Sequence, residues 1–571
     1  MLITAIFWIY VFTVVYLYGW YANRMLSVVF QNPAKLSLLL TWLLGLVLLT
    51  TAASFFSLVI PIGAWFHLLV ILGTVLILIY FFKTGKLSLS AFLEVAKKPH
   101  WLTLIIGGLS ILTLLEVSTR IPSNPDSGQY HAQAIRWIES FGVVPGLGNL
   151  LTRYAFNSSW FVSNAVFSFA FLGRGSFHLL PSLLFLLVVL SSLSSLDSLL
   201  KRDVRLSIFF RALLLPFAFN FLASEASSPG TDIPITLISW ILLTEWLRIM
   251  EAKGEDQKIT ATVIWVIAVF CITIKLSAAI WLLGGLFVLL LVQESKNRKF
   301  LIVNFFLGAF ILAPWVARNI ILSGYLVYPF PFLDILRVDW KIPLANAISD
   351  VNSIQNWAKL SGKGYSFQGH LPLNLWFPDW LNHQTLVQKG ILGILVICPI
   401  ILTSFIIIPW KGGVFLKGFF RQYFPVYIFL YIGGLFWFFT SPALRFGYGF
   451  ILSAFILVLL TFVFMIMNFW PRVKSFIGYL LTGFLILYQI YILVFSVELR
   501  TLPERLVFPA DYRELPTEPC KLKNTTVLQP SSEAWMECWY SPFPCTPHCE
   551  PGVEQRGETL HDGFRWENSG E

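Results

Sequence analysis

Apolar segments separated by short polar connections repeat along the whole chain. Each runs for about 20 residues, which is the length that an α-helix needs to cross the hydrocarbon core of a bilayer. The first begins at Leu2, and a count along the chain gives about fourteen such segments. The pattern therefore predicts an all-α polytopic membrane protein, whose transmembrane domain covers residues 1–497.

Composition leads to the same class of protein. Hydrophobic residues make up 57% of the chain and charged residues 12%, whereas soluble domains have about 25% charged residues. The formal charge of +10 raises the question of a nucleic-acid partner. Lysine and arginine fall mostly in the short connections, however, as the positive-inside rule requires of a membrane protein. We therefore expect surrounding membrane lipids and no nucleic acid.

The basic residues also predict the orientation of the helices. Connections rich in lysine and arginine occur at 83–98, 201–205 and 296–299, whereas 223–232 has no basic residue. Basic connections face the cytoplasm. No basic residue precedes the first apolar segment, so a cleaved signal peptide is not expected. We predict a multi-pass protein of the plasma (inner) membrane, with both termini on the periplasmic or extracellular side.

A polar stretch at 118–139 interrupts the apolar segments, within a larger outer loop at 119–175. Pro122 and Pro125 end any preceding helix, and Asp126 then stands at an N-cap position with Gln129 as its capping-box partner. Apolar and polar positions then recur at helical spacing; the apolar ones are Tyr130, Ala134, Trp137, Ile138 and Phe141, and the polar ones His131, Gln133, Arg136 and Glu139. This pattern predicts an amphipathic helix on the membrane surface, with a carboxylate at the edge of the bilayer.

A second long loop lies at 325–388. It is rich in proline, tryptophan, asparagine and glycine and lacks helical periodicity. Irregular loops of this length on a rigid scaffold commonly bind a ligand. We therefore expect a binding loop on the same side as Asp126.

The tail at 498–571 contains four of the six cysteines, which are Cys520, Cys538, Cys545 and Cys549. Because the charge pattern puts the tail outside, in an oxidising compartment, two disulfides are the favoured interpretation. A zinc site is the alternative, since Cys545-Thr-Pro-His-Cys549 contains ligand types, although its spacing matches no common zinc pattern well.

Three cations fall at the ends of apolar segments on the predicted outer side. Lys275 lies in a nearly unbroken apolar run, where a charge costs about 2.5–3.5 kcal/mol and needs a partner or a function unless it snorkels at the turn. Arg318 and Arg445 offer planar donors that suit phosphate oxygens. With Asp126 on the same side, these residues indicate a site that binds a lipid phosphate.

These motifs resemble a known family. An outer-loop Asp, the run Thr273-Ile-Lys-Leu-Ser277, the stretch from Pro314-Trp-Val-Ala-Arg-Asn319 to Tyr328-Pro329 and Arg445-Phe-Gly-Tyr-Gly449 are similar to motifs of the GT-C superfamily of polytopic glycosyltransferases. The resemblance covers residues 101–450. It is strongest to the bacterial branch that includes protein mannosyltransferases and aminoarabinose transferases.

The resemblance implies transfer of a sugar from a polyprenyl-phosphate-linked donor to a glycan, lipid or protein acceptor on the outer face. Asp126 would act as the general base on the acceptor hydroxyl, and Lys275, Arg318 and Arg445 would stabilise the leaving phosphate. Tyr130 and His131 would contact substrate, although an interfacial histidine without a function is the alternative.

The chain also departs from the family pattern. Asp126 is followed by Ser127 and not by a second acid, so a metal held by adjacent carboxylates is not expected, and no cofactor is indicated. Asp232 supplies either a second acid or a helix cap, and capping is favoured. Three segments more than in relatives precede the Asp126 loop, since relatives commonly have one there. The alternative functions are a transporter or flippase, which typically shows repeat symmetry and a site at the membrane midplane, and a polymerase of lipid-linked sugars.

Overall fold

A computed structural model describes residues 1–33, 35–84, 99–173, 177–252, 257–293, 298–360, 369, 371–407, 411–498, 500–531 and 536–567. It is 72% helical. Twelve helices of this described part are long and apolar enough to cross a membrane: Leu2–Val29, Leu38–Phe56, Ala64–Lys83, Trp101–Ser118, Leu180–Leu200, Leu206–Leu222, Asp232–Glu251, Arg298–Ser323, Leu386–Ile407, Lys411–Thr440, Leu444–Phe469 and Val473–Ser496. The helices Lys258–Ile274 and Trp281–Val292 are shorter but also fall on apolar segments of the sequence. All fourteen coincide with the apolar segments of the sequence, so the prediction of an all-α polytopic membrane fold is confirmed.

The first two helices approach each other closely because two glycines face the contact. A Cβ added at Gly19 would lie 1.8 Å from the carbonyl oxygen of Thr41, and one at Gly45 would lie 1.9 Å from that of Val15. Small residues of this kind let membrane helices pack backbone against backbone. Any larger side chain at either position would force this pair of helices apart.

The connection at 119–179 folds into short elements at one end of the bundle, which we call the cavity end. They are the π-helix Ser127–His131, the α-helices Ala132–Ser140, Leu147–Leu150 and Ser159–Val166, and the 3-10 turns Thr152–Ala155 and Ala170–Leu172. The expected surface position of the helix after Asp126 is wrong. Its apolar Trp137 and Ile138 are buried in the core, and its polar Gln133 is buried as well, because the tail covers that face.

The loop at 325–388 is not irregular, which corrects the second loop prediction. It contains the 3-10 turn Pro331–Leu333 and the helices Leu344–Lys359 and Leu373–His383. Pro343 and Pro372 stand at the N-caps of the two helices, where proline breaks no intrahelical hydrogen bond. Two of the prolines that suggested an irregular loop, Pro343 and Pro372, therefore mark the places where its helices begin.

The tail forms two small antiparallel sheets on the cavity end. Strand Thr517–Lys521 pairs with Thr526–Pro530, and Val553–Gln555 pairs with Phe564–Trp566. The short helix Leu502–Arg505 precedes them, and the 3-10 turn Leu560–Asp562 lies between the last two strands. The structure joins Cys520 to Cys549 and Cys538 to Cys545.

The N-terminus lies at this end too, since the Met1 amino group donates to the carbonyl oxygen of Arg505 at 2.6 Å. The sequence predictions for Lys86, Lys97, Lys98 and Lys296 concern positions outside the described residues. The two remaining 3-10 turns, Ala223–Glu225 and Leu276–Ala278, also belong to connections at the cavity end.

Candidate functional site

A cavity of about 620 Å³ opens at the cavity end of the bundle. Connections that are far apart in sequence contribute its walls, and the helix Leu344–Lys359 contributes Asp350, Val351, Ser353, Ile354, Gln355 and Trp357. Its charged lining residues are Asp126, Arg153, Asp232, Lys275, Asp350 and Arg445. The rest of the lining is largely aromatic and aliphatic. This mixture of a few convergent charges and a large apolar wall is typical of a small-molecule site.

Five of the charged groups form an alternating chain of ion pairs. Arg445 lies 3.2 Å from an oxygen of Asp126 and 3.1 Å from an oxygen of Asp232. Asp232 also pairs with Lys275, and Arg153 approaches Asp126 at 3.6 Å. The side chains of Asp126 and Arg445 each remain 27% exposed, so a ligand in the cavity can reach them.

Asp232 belongs to this network and is not a helix cap, which corrects the favoured sequence interpretation. The N-cap of helix Asp232–Glu251 is Thr231, and no side chain caps the helix there. The carboxylate nevertheless lies at the positive end of the helix dipole, which stabilises an anion. Lys275 comes directly after Ile274, the last residue of its helix, where the dipole favours a cation. The partner expected for a lysine at membrane depth is therefore Asp232.

Arg445 is the one member of the network that the local helix does not favour. It lies in the first turn of helix Leu444–Phe469, where the dipole disfavours a cation. Two carboxylates from other connections compensate for this. The guanidinium also lies 5.1 Å from the ring centroid of Trp357 and 5.3 Å from that of Phe446, so aromatic faces hold it from the other side.

Asp126 does not cap the helix that follows it, so that prediction is also wrong. Its own backbone is helical, its side chain accepts no capping hydrogen bond, and its amide donates to the Asn124 side chain at 3.0 Å. Gln129, the expected partner in a capping box, accepts instead from Arg153. The segment begins with a π-helix, an element often found at functional sites. The Asp126 carboxylate therefore accepts no capping hydrogen bond and pairs instead with Arg153 and Arg445.

Tyr130 and His131, which the sequence offered as candidate substrate contacts, both line the cavity. Their ring centroids are 4.4 Å apart, and His131 is also 5.2 Å from Phe161. Burial lowers the pKa of His131 to about 4, although Asp126 and Asp232 act in the opposite direction. Burial also raises the pKa of Tyr130. Both side chains are therefore neutral near pH 7 and act as hydrogen-bonding groups.

Arg318 is not part of the cavity lining described above. Its side chain is buried, with Nε donating to Asn157 Oδ1 at 3.0 Å and Nη1 donating to Ser57 Oγ at 2.6 Å. Asn157 does line the cavity. The expectation that Arg318 binds a lipid phosphate therefore finds no support in this geometry, which makes Arg318 a residue that holds the cavity wall.

Sequence reasoning missed two charged residues of the cavity. Arg153 follows a stretch without periodicity, and Asp350 lies in the loop that was expected to be irregular. Asp350 accepts hydrogen bonds from Tyr328 Oη at 2.6 Å and from Thr152 Oγ1 at 3.1 Å. Burial raises its pKa, and Tyr328, Thr152 and Arg153 oppose the shift. The available signal was in the sequence of 344–359, where Asp350 is the only charged residue before Lys359.

Two buried polar side chains of the cavity have atoms without a hydrogen-bond partner among the described residues. They are Asn319, through both its amide oxygen and its amide nitrogen, and His131, through Nδ1. Unpaired polar atoms in a buried place are costly. Here both residues face a space that a hydroxylated ligand can occupy. Among the residues that the structure describes, no three His, Cys, Asp or Glu side chains are arranged to hold a metal ion.

Comparison with known proteins gives a family but no characterised relative. A family model described as Domain of unknown function (DUF8201) matches residues 1–452, a range that includes all six charged lining residues and excludes the tail. Neither the search of curated proteins nor that of solved structures found a match. Because the matched range covers more than half of the chain, the protein belongs to the family described as Domain of unknown function (DUF8201).

Proposed function

We propose that this protein is a GT-C-type membrane glycosyltransferase that moves a sugar from a polyprenyl-phosphate-linked donor to a glycan, lipid or protein acceptor. The observation that carries the proposal is the convergence of Asp126, Asp232, Lys275 and Arg445 on one cavity of about 620 Å³ at the end of a membrane bundle. Such a site offers a base for the acceptor and cations for a phosphate. It also offers apolar surface for a lipid.

In the proposed reaction, the acceptor hydroxyl oxygen attacks the anomeric carbon of the donor sugar. The bond between that carbon and the phosphate oxygen breaks with its electron pair going to the phosphate, and Asp126 takes the hydroxyl proton. Arg445 and Lys275 stabilise the phosphate as its charge increases. A phosphate that pairs with Arg445 also releases an oxygen of Asp126 from its ion pair, so donor binding would prepare the base.

The remaining lining suits the other parts of such a substrate. Trp357, Trp315 and Trp437 offer flat apolar faces for the carbon–hydrogen face of a sugar ring, and Asn319 offers a donor and an acceptor for its hydroxyls. Phe330 and Phe332 line the cavity while remaining 36% and 73% exposed. Their exposure gives the isoprenoid chain an apolar path between the cavity and the surrounding lipid.

The same proposal places the cavity end on the periplasmic or extracellular side of the plasma membrane. Two disulfides in a tail at this end support it, since such bonds persist in oxidising compartments. Single cysteines at exposed Ser123 and at exposed Arg202 test it. An impermeant thiol reagent added to intact cells should label Ser123→Cys and not Arg202→Cys. The reverse pattern would contradict the orientation.

The catalytic proposal is tested by sugar transfer in liposomes that contain the purified protein, polyprenyl-phosphate-linked sugars and membrane acceptors. Asp126→Asn should lower the transfer rate by about 10²–10⁴-fold, because the amide cannot accept the proton. Asp334→Asn is the matched control, since Asp334 pairs with Lys341 away from the cavity lining.

Equal transfer rates for wild-type protein and Asp126→Asn would show that Asp126 is not the general base. Transport of intact donor across the liposome membrane without transfer of its sugar would show that the protein is a transporter and not a glycosyltransferase. In both cases, melting curves of the purified variants establish that the folded protein is being compared.

A further inference from the structure

The segment that presents Asp126 is held by the tail as well as by the membrane bundle. Trp539 and Cys538 both donate their backbone N–H groups to the carbonyl oxygen of Gly128, each at 2.9 Å. Gly128 lies in the π-helix Ser127–His131, immediately after Asp126. One carbonyl of the π-helix thus accepts two hydrogen bonds from residues that lie more than 400 positions away.

The Trp539 ring lies directly on Gly128. A Cβ added at Gly128 would be 2.4 Å from the ring carbon Cε2 and 2.5 Å from Nε1, so any side chain there would displace the ring. Trp539 is itself 3% exposed, and its indole N–H donates to Glu537 at 2.6 Å. The contact therefore needs both the absence of a side chain at position 128 and a large flat residue at position 539.

The same part of the tail also contacts helix Ala132–Ser140 and Tyr154. Gln133 Nε2 donates to the carbonyl oxygen of Trp539 at 3.1 Å, and Arg136 Nη1 donates to that of Ser541 at 2.6 Å. The Arg136 guanidinium lies 4.2 Å from the ring centroid of Tyr540. On the other side, Tyr154 Oη donates to the carbonyl oxygen of Cys545 at 2.6 Å.

The disulfide between Cys538 and Cys545 closes residues 538–545 of the tail into a short loop. The two cysteines are seven positions apart. The Cys538 amide donates to the carbonyl oxygen of Gly128, and the Cys545 carbonyl accepts from Tyr154 Oη. Tyr154 follows Arg153, an ion partner of Asp126. The closed loop therefore contacts the chain beside Asp126 and beside one of its cations.

We infer that the loop closed by Cys538–Cys545 is a positioning element for Asp126, with Trp539 as its main positioning residue. The loop reaches none of the groups proposed to react, and it acts by fixing the π-helix after Asp126. Its effect on catalysis rests on the proposed function. Its effect on the structure of the Asp126 segment does not.

Amide hydrogen exchange of the purified, oxidised protein tests the structural part. Trp539→Ala, and the pair Cys538→Ala with Cys545→Ala, should raise exchange in peptides covering 126–133 by about tenfold or more, since they loosen a local contact and not the whole fold. The second disulfide provides a matched control. Cys520→Ala with Cys549→Ala should leave 126–133 within about twofold of wild type. Equal exchange in all variants would overturn the inference.

A substitution at Gly128 sharpens the test. Gly128→Ala should raise exchange as much as Trp539→Ala, and combining the two should add little, because both remove one contact. Trp539→Phe retains a flat ring and should restore most of the protection. Additive effects in the double variant would mean that the two residues act separately. A variant that fails to melt cooperatively is replaced by Trp539→Phe combined with Gly128→Ala, which keeps a ring at position 539.

Sugar transfer gives the catalytic readout. Trp539→Ala should lower kcat by about tenfold while changing the KM for donor by less than about threefold, because Asp126 moves and the cations Lys275 and Arg445 do not. An unchanged kcat alongside raised exchange would refute the catalytic consequence alone. If wild-type protein transferred no sugar, the proposed function would fail, and the exchange data would still decide whether the loop positions the segment.

Discussion

Two of the ion-pair groups at the cavity end differ in how completely the protein surrounds their central residues. In the closed group, the side chains of Arg505 and Glu116 are 5% and 2% exposed. In the open group, Asp126 and Arg445 are each 27% exposed and face the cavity. The same kinds of side chain thus occur in a buried pair and in a pair that a ligand in the cavity can reach.

The closed group has the hydrogen bonding of a structural contact. Arg505 donates to a carboxylate oxygen of Glu116 at 2.8 Å, to its backbone carbonyl at 2.9 Å and to Thr119 Oγ1 at 3.0 Å. Arg120 pairs with the same carboxylate. This cluster fastens the start of the tail to helix Trp101–Ser118, and none of its residues lines the cavity.

The open group is less complete, and that is what makes it a candidate site. Asp126 and Arg445 pair at 3.2 Å, both line the cavity, and each side chain stays 27% exposed. An incomplete network of charges is expensive to keep unless a ligand completes it. The contrast suggests that the number of unused donors and acceptors distinguishes a functional charge cluster from a structural one better than charge alone does.

The largest effect that should separate the two groups is on stability. Arg505→Ala leaves the carboxylate of Glu116 buried with fewer partners and should cost about 3–5 kcal/mol of folding stability. Arg445→Ala removes a partly solvated pair and should cost about 1 kcal/mol or less. Melting midpoints in detergent measure the difference. Similar losses for both variants would contradict the division into a closed and an open group.

The second effect concerns ligand binding and should affect only the open group. Lys275→Met removes a cation from the cavity and should weaken binding of polyprenyl phosphate by about tenfold or more, since a charged hydrogen bond contributes about 1.5–3 kcal/mol. Lys341→Met is the control, because Lys341 pairs with Asp334 outside the cavity lining. Binding to purified protein in micelles is measured directly. If Lys275→Met bound polyprenyl phosphate as tightly as wild type, Lys275 would not be a phosphate ligand.

The sequence predicted the helices well and the site only in part, for physical reasons. A bilayer demands long apolar helices, so the fourteen segments could be recognised locally. Asp126 was taken for a helix cap because capping is a rule about neighbouring residues, whereas its partner Arg445 lies 319 positions away. The sequence left Lys275 with a partner, a function or snorkelling as alternatives, and only the packing of two helices identifies Asp232 as its partner.

The tail illustrates the same limit from another side. Its four cysteines and its predicted compartment indicated disulfides, but their positions in sequence carry no information on what the closed loops touch. Gly128 looked like an ordinary residue of a polar stretch. Its importance comes from the Trp539 ring that lies on it, and such a contact depends on the fold of the complete chain.

The smallest predicted effect is on the pH dependence of stability, and it concerns Glu139 on the helix that the tail covers. Burial raises the pKa of Glu139 from 4.5 to about 7, although a hydrogen bond with Ser168 and the charge of Arg136 oppose the shift. Between these two values, the folded protein binds more protons at this site than the unfolded chain does. Its contribution to stability is therefore complete below about pH 4.5 and is lost as the pH rises towards 7.

Glu139→Gln should remove this dependence, because the amide stays neutral at every pH. The variant should melt a few degrees higher than wild type at pH 8 and within about one degree of it at pH 5, as expected for a single shifted carboxyl group. Glu514→Gln, at an exposed position of the tail, should change neither midpoint. If wild type and Glu139→Gln instead differed equally at both pH values, the carboxyl group would not titrate in this range, and its neighbourhood with Tyr512 and Tyr540 would be a matter of packing alone.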